Sequence, residues 1–193
     1  MTTTRRLHGL FVTLVAFSAM ACEGFPGTYS GDLTETRSNV TPPPMTPYEP
    51  VTLAVQATVA DAPNDGLSIR LSDANGGCSL NGTRNGNSVT IPAGQSCSWP
   101  YESDGVMYNI TYTITGGSGQ LSTSSSSTPT GTRRQCDRNG RNCRTVTTTR
   151  TSTTVYLNLT INTTYQLTYT SEGMPVSEMG TSQLSFTGSR GGA

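Results

Sequence analysis

The sequence predicts an all-β fold: an antiparallel meander that closes into a small barrel or stacks as a two-sheet sandwich, with one long polar hairpin projecting from it. Three observations predict it. Apolar residues recur at every second position in segment after segment, and nowhere at helical spacing for three turns. Clusters of Gly, Pro, Asn and Asp punctuate those segments at short intervals. Leu, Ile, Val and Phe make only 33 of 193 residues, but Tyr and Thr add the strand-forming bulk that this count misses. A formal net charge of zero also argues against the disorder that low hydrophobicity alone would suggest.

The elements follow in order. "GTYSGDLTETR" (27–37) is a first strand with Tyr29 and Leu33 on one face. Five prolines between Pro42 and Pro50 make a stiff, extended loop or tether outside the core. Residues 22–50 therefore read as an N-terminal segment and 51–193 as the β domain. Val51, Leu53, Val55, Ala57 and Val59 share a face, and "APNDG" turns the chain. Leu67, Ile69 and Leu71 alternate again; "NGNSVTI" and "SCSWPYE" are shorter candidates. The clearest strand is "VMYNITYTIT", with Val106, Tyr108, Ile110, Tyr112 and Ile114 in phase, and "GGSG" is expected to end it. Val155, Leu157, Leu159 and Ile161 form another apolar face, and "TYQLTYT" and "TSQLSFTG" complete the set.

The start of the chain carries an export signal over 1–21. Arg5 and Arg6 precede the apolar run Leu7–Phe17, and small residues lead to Cys22. Ala19-Met20-Ala21-Cys22 resembles a bacterial lipobox, with Ala19 where that family carries Leu. The resemblance implies cleavage before Cys22, lipid (palmitate among it) on that cysteine, and attachment to a membrane through it. Glu23, where Asp would mark the inner membrane, implies the outer one. Five cysteines agree with this reading, because lipid on Cys22 leaves four to pair. Without lipid, the protein is secreted and soluble, with a spare thiol at Cys22.

Asn139-Gly140 is a strong hairpin signal inside "CDRNGRNC". A two-residue turn there sets Arg138 opposite Arg141, Asp137 opposite Asn142 and Cys136 opposite Cys143, at a spacing a disulfide accepts. Cys78 then pairs with Cys97. The flanking strands are Ser and Thr on both faces, so the hairpin over 120–155 should project into water. A bulge at Pro129 or Gly131 is needed to bring Leu121 into register with the apolar positions of the partner strand.

Charge gathers on this hairpin. Arg133, Arg134, Arg138, Arg141, Arg144 and Arg150 stand against one acid, Asp137. The first five make an anion-binding candidate for an acidic envelope polymer or an acidic protein. The alternative is a solvated ribbon whose arginines keep a strand edge from pairing. Nucleic acid is not expected, since the chain is exported and the tip has no aromatic residues for stacking.

Catalytic chemistry finds few parts. His8, the only histidine, is lost with the signal, and the chain has no lysine. That excludes a Ser-His-Asp triad, a P-loop and a Schiff base. No metal site and no cofactor are expected; "DANGG" (73–77) lacks a full set of calcium ligands and reads as a tight turn. Glu102 with Asp104, or Glu172 with Glu178, are the carboxylate pairs open to a hydrolase. Tyr108, Tyr112, Tyr165 and Tyr169 are in phase with aliphatic neighbours and read as core or barrel lining; in a barrel open inside they would line an apolar ligand pocket. Gly27-Thr28-Tyr29-Ser30-Gly31 resembles the opening strand of lipocalin-like barrels, which implies a small-ligand carrier. The expected function is non-catalytic binding or structural work at the cell envelope. The carrier is the first alternative and the hydrolase the second.

Overall fold

The computed structural model describes residues 24–44, 47–103, 105–171 and 173–191. The export signal, Cys22, Asp104 and Glu172 lie outside the described residues. Nine strands run in chain order: β1 (Gly27–Thr41), β2 (Val51–Ala62), β3 (Gly66–Ser72), β4 (Gly77–Asn85), β5 (Ser88–Ile91), β6 (Ser96–Ser103), β7 (Val106–Gln135), β8 (Arg144–Ser171) and β9 (Met174–Gly191). All pairings are antiparallel, in the order β5-β4-β3-β2-β1-β9-β8-β7-β6, and β5 also pairs with β7. Through β5 the hydrogen bonding returns to β7 and forms a ring, consistent with a small barrel.

Strand β1 sits between β2 and β9. It belongs to the same sheet as the strands that follow residue 51, and Phe25 just before it is buried in the core. The reason is the inward face of β1. Tyr29 and Leu33 are needed to complete the apolar lining, and the strand pairs on both sides. Residues 42–50 form the loop from β1 to β2.

"GGSG" does not end its strand. Strand β7 runs on for 30 residues through a bulge between Ile114 and Gly116. Gly117 and Gly119 lie where β5 closes against β7, at Ile91↔Gly117 and Val89↔Gly119. A Cβ on Gly119 would come within 2.3 Å of Leu159 and 2.8 Å of Val89. Glycine is there so that two strands and their core side chains can approach, not to break the chain.

Below β5, strands β4 and β6 meet by other means. The Gln95 side chain takes the Asn81 amide at 2.6 Å and donates to the Asn81 carbonyl at 2.9 Å, as a strand neighbour would. The Cys78–Cys97 disulfide joins the two strands at a Cα separation of 5.3 Å.

The alternating strands sort the connections to two ends. The 62–66 and 85–88 turns, Gly24–Pro26 and the hairpin base share one end. The 42–50 loop and the 73–76, 103–106 and 171–174 connections share the other. At the first end, Tyr29 donates to the Phe25 carbonyl at 2.8 Å. Arg190 donates to the Gly24 carbonyl at 3.1 Å and lies over the Tyr29 ring. Those contacts plug that end.

Beyond Leu121 and before Thr153 the β7–β8 ribbon is exposed apart from a few half-buried positions such as Cys143 and Val146. The 14 residues 122–135 of β7 extend it by about 45 Å at a rise of about 3.3 Å each. Hydroxyl pairs such as Ser126–Ser152 at 2.9 Å and Ser127–Thr151 at 3.1 Å tie the strands. The expected bulge falls between Pro129 and Gly131 and sets Leu121 opposite Leu157.

The turn differs from the expected two-residue one. The Asp137 carboxylate accepts the amides of Asn139 (3.1 Å) and Arg141 (2.7 Å) and the Asn142 side chain (3.2 Å). The backbone closes through Asp137 N–H to the Arg141 carbonyl and Gly140 N–H to the Asp137 carbonyl, both at 3.0 Å. Arg138 is thus not opposite Arg141, nor Asp137 opposite Asn142. Three residues make the turn, Gly140 takes φ 70°, and Asn142 bulges at φ 52°. Register recovers by Gln135↔Arg144, and Cys136–Cys143 forms as expected.

Candidate functional site

A cavity of about 440 Å³ opens at the end remote from the hairpin. Leu33, Ile110 and Leu184 lie deepest, Trp99, Tyr101 and Tyr112 form one wall, and Tyr48, Glu49 and Glu102 stand at the lip. Its size is in the range of small-molecule sites.

Period two brings polar residues into this lumen. The inward face of β1 continues past Tyr29 and Leu33 to Glu35 and Arg37. That of β9 carries Glu178 and Ser182 in phase with Leu184 and Phe186. Arg37 binds Glu35 at 3.0 Å and Glu178 at 3.7 Å, and all three side chains are only 11–12% exposed. Its guanidinium lies 4.8 Å from the Tyr165 ring centroid and 5.7 Å from that of Tyr48. Tyr165 donates to Glu178 at 2.7 Å, Tyr48 donates to its other oxygen, and Ser182 donates to Glu35 at 3.0 Å.

This environment sets the protonation states. Burial works to lower the Arg37 pKa, but the hydrogen bond and charge of Glu35 outweigh it, so Arg37 is held firmly cationic. Burial, then the negative charge of Glu35, pushes the Tyr112 phenol well above its ordinary range. Burial followed by the bond to Glu178 does the same for Tyr165. The hydrogen bond to Glu178, then desolvation, pushes Tyr48 up to about 12. The phenols therefore stay neutral donors and the guanidinium stays charged at any physiological pH.

The cavity is acidic overall. Glu35, Glu49, Asp73 and Glu102 line it against Arg37 alone. The Asp73 carboxylate accepts the Asn75 and Gly76 amides at 2.8 and 2.9 Å, which makes "DANGG" a tight turn, and takes the Trp99 indole N–H at 3.3 Å. Among the described residues no group of three His, Cys, Asp or Glu could hold a metal ion. Tyr101 stacks on Tyr108 with centroids 4.9 Å apart, and Tyr108 meets Tyr169 at 4.9 Å, so an aromatic row continues from the wall across β6, β7 and β8.

Of the tyrosines expected to line a barrel, Tyr112 and Tyr165 are buried inside it, and Tyr108 and Tyr169 are half-buried in this row. Arg133, Arg134, Arg138, Arg141 and Arg144 are all exposed, on the hairpin at the opposite end. The carboxylate pairs named for hydrolysis each include a residue outside the described ones. Glu178 instead meets Glu35 around Arg37, and both carboxylates are held as acceptors. Glu35, Arg37, Tyr48 and Ser182 were not singled out from the sequence. The available signal was the Tyr29–Leu33 alternation carried two steps further.

Removing the cation tests this arrangement. Arg37→Met leaves two enclosed carboxylates without a counter-charge and should cost about 3 kcal/mol in urea unfolding. Glu35→Gln in the same chain should recover part of that loss.

Comparison with protein-family models and with curated proteins finds no match to this chain.

Proposed function

We propose that this chain is an exported, lipid-anchored envelope protein whose barrel binds a small cationic ligand with an apolar portion. The observation that carries the reading is the open end of the barrel: an aromatic-walled cavity with four lining carboxylates and one arginine that is already paired. A carboxylate-rimmed aromatic wall suits a guanidinium or ammonium group, by charge and by the ring face. Arg37 over Tyr165 is an internal example of that contact. The apolar floor at Leu33, Ile110 and Leu184 suits the rest of the ligand. This is the carrier reading with a ligand class attached. Export and anchoring rest on the signal and on Cys22, two residues before Gly24. Gly24 lies at the plugged end.

Trp99 is the only tryptophan and stands in the cavity wall, so its fluorescence reports binding there. Butylguanidinium should change it saturably, while uncharged butylurea should not. Glu49→Gln with Glu102→Gln should weaken the guanidinium several-fold. No saturable change with either probe would defeat the reading, and equal binding of both would defeat its charge component. For the anchor, the intact mass of the protein from native membranes should correspond to a chain starting at Cys22 plus acyl groups, and reduction should add four hydrogens. A chain with an unmodified Cys22 would overturn the anchor.

A further inference from the structure

We infer that the arginine tip of one copy docks in the open end of a second copy, so that the protein associates head to tail. The inference rests on the reading that the mouth receives a guanidinium, and it names the partner that supplies one.

Charge is sorted to the two ends of the molecule. The hairpin carries six arginines against Asp137. The described part of the barrel carries eight acids against four arginines; Glu35, Glu49, Asp73 and Glu102 line the mouth with Arg37, which also meets Glu178. Each end therefore has on the other end of a second copy the surface of opposite sign. The chemistry matches as well as the sign, since the mouth already holds one guanidinium against tyrosine.

Geometry makes the contact intermolecular. The ribbon leaves the barrel at the plugged end, with the whole barrel between its tip and its own mouth. Arg138 sits in the three-residue turn at the apex, fully outside any packing, and Arg141 follows it. A two-stranded ribbon is too broad for a cavity of about 440 Å³, but one arginine side chain is not. Arg138 enters, and the neighbouring arginines meet Glu49 and Glu102 at the lip. The tip is tied by Cys136–Cys143 and by the Asp137 carboxylate, so little conformational freedom is lost on docking. Because tip and mouth are different surfaces, the contact is heterologous and repeats from copy to copy.

Sedimentation of the exported chain carrying Cys22→Ser, which removes both lipid and free thiol, tests this. Association should grow with protein concentration at about 0.01 M salt and vanish at about 1 M, as the Debye length falls from about 30 to about 3 Å. Arg138→Ala with Arg141→Ala, and separately Glu49→Gln with Glu102→Gln, should each sediment as monomers. Mixed, the two variants should form a one-to-one complex and go no further, because one keeps its mouth and the other its tip. Butylguanidinium should dissociate the wild-type chains. A wild-type monomer at all concentrations in low salt, or association that survives the tip substitutions, overturns the inference. So does a monomer whose tip instead binds phosphatidylglycerol vesicles. Trp99 titration of the tip variant separates the two claims: a mouth that binds butylguanidinium in a chain that never associates leaves the ligand reading standing and this one refuted.

Discussion

The barrel depends on how β4 meets β6. A curved sheet left open would expose two edges and admit water to its lumen, and β5 covers only part of this gap, through three residues paired to β4 and four to β7. The remainder is closed by one side chain and one covalent bond. Gln95 reproduces the hydrogen bonds of a strand neighbour at Asn81, and Cys78–Cys97 fixes the separation a few residues further on. Closing a loop of 19 residues limits the unfolded chain by about 3 kcal/mol. The mouth is built from the ends of these same strands. Cys97 precedes Trp99 by two residues, and the Asp73 turn that holds the Trp99 indole leads directly into β4. The seam therefore shapes the cavity wall as well as closing the sheet.

A closed barrel of this size still has to account for a charged group in its lumen. Arg37 is acceptable there because two carboxylates, two aromatic rings and their hydroxyl partners surround it. The same cluster leaves the mouth short of positive charge, while the hairpin holds six of the ten arginines among the described residues. Both ends follow from one compositional fact. The chain has no lysine, and its arginine is placed singly where it is enclosed and in numbers where it is bathed in water.

The strands were legible because nearly every one has one wet face and one dry face. The alternation at Val55–Val59, Leu67–Leu71 and Val155–Ile161 places those side chains in the core where they are found, whereas Val51 and Leu53, in phase with the first of these, are exposed. The hairpin was legible for the opposite reason, since neither face could be buried. Three features were hidden. "GGSG" looks like punctuation, but Gly117 and Gly119 are spaces left for Val89, Ile91 and Leu159, partners that no local pattern reveals. The tip follows the Asp137 carboxylate, whose reach to three donors outweighs the two-residue preference of Asn-Gly. The lumen cluster joins Glu35 and Ser182 across 147 positions of sequence, and a polar residue in phase with an apolar face reads as a strand end until its partners are in view.

The measurement that most directly tests the central claim is a map of backbone amide shifts when butylguanidinium is added to isotopically labelled protein. In the monomeric Arg138→Ala, Arg141→Ala chain the account predicts shifts that saturate together on β1 around Glu35–Arg37, on the lip at residues 48–53 and on β6 from Trp99 to Ser103, with the hairpin silent. Shifts confined to the hairpin around Asp137, or scattered over the outside of the barrel, would contradict it.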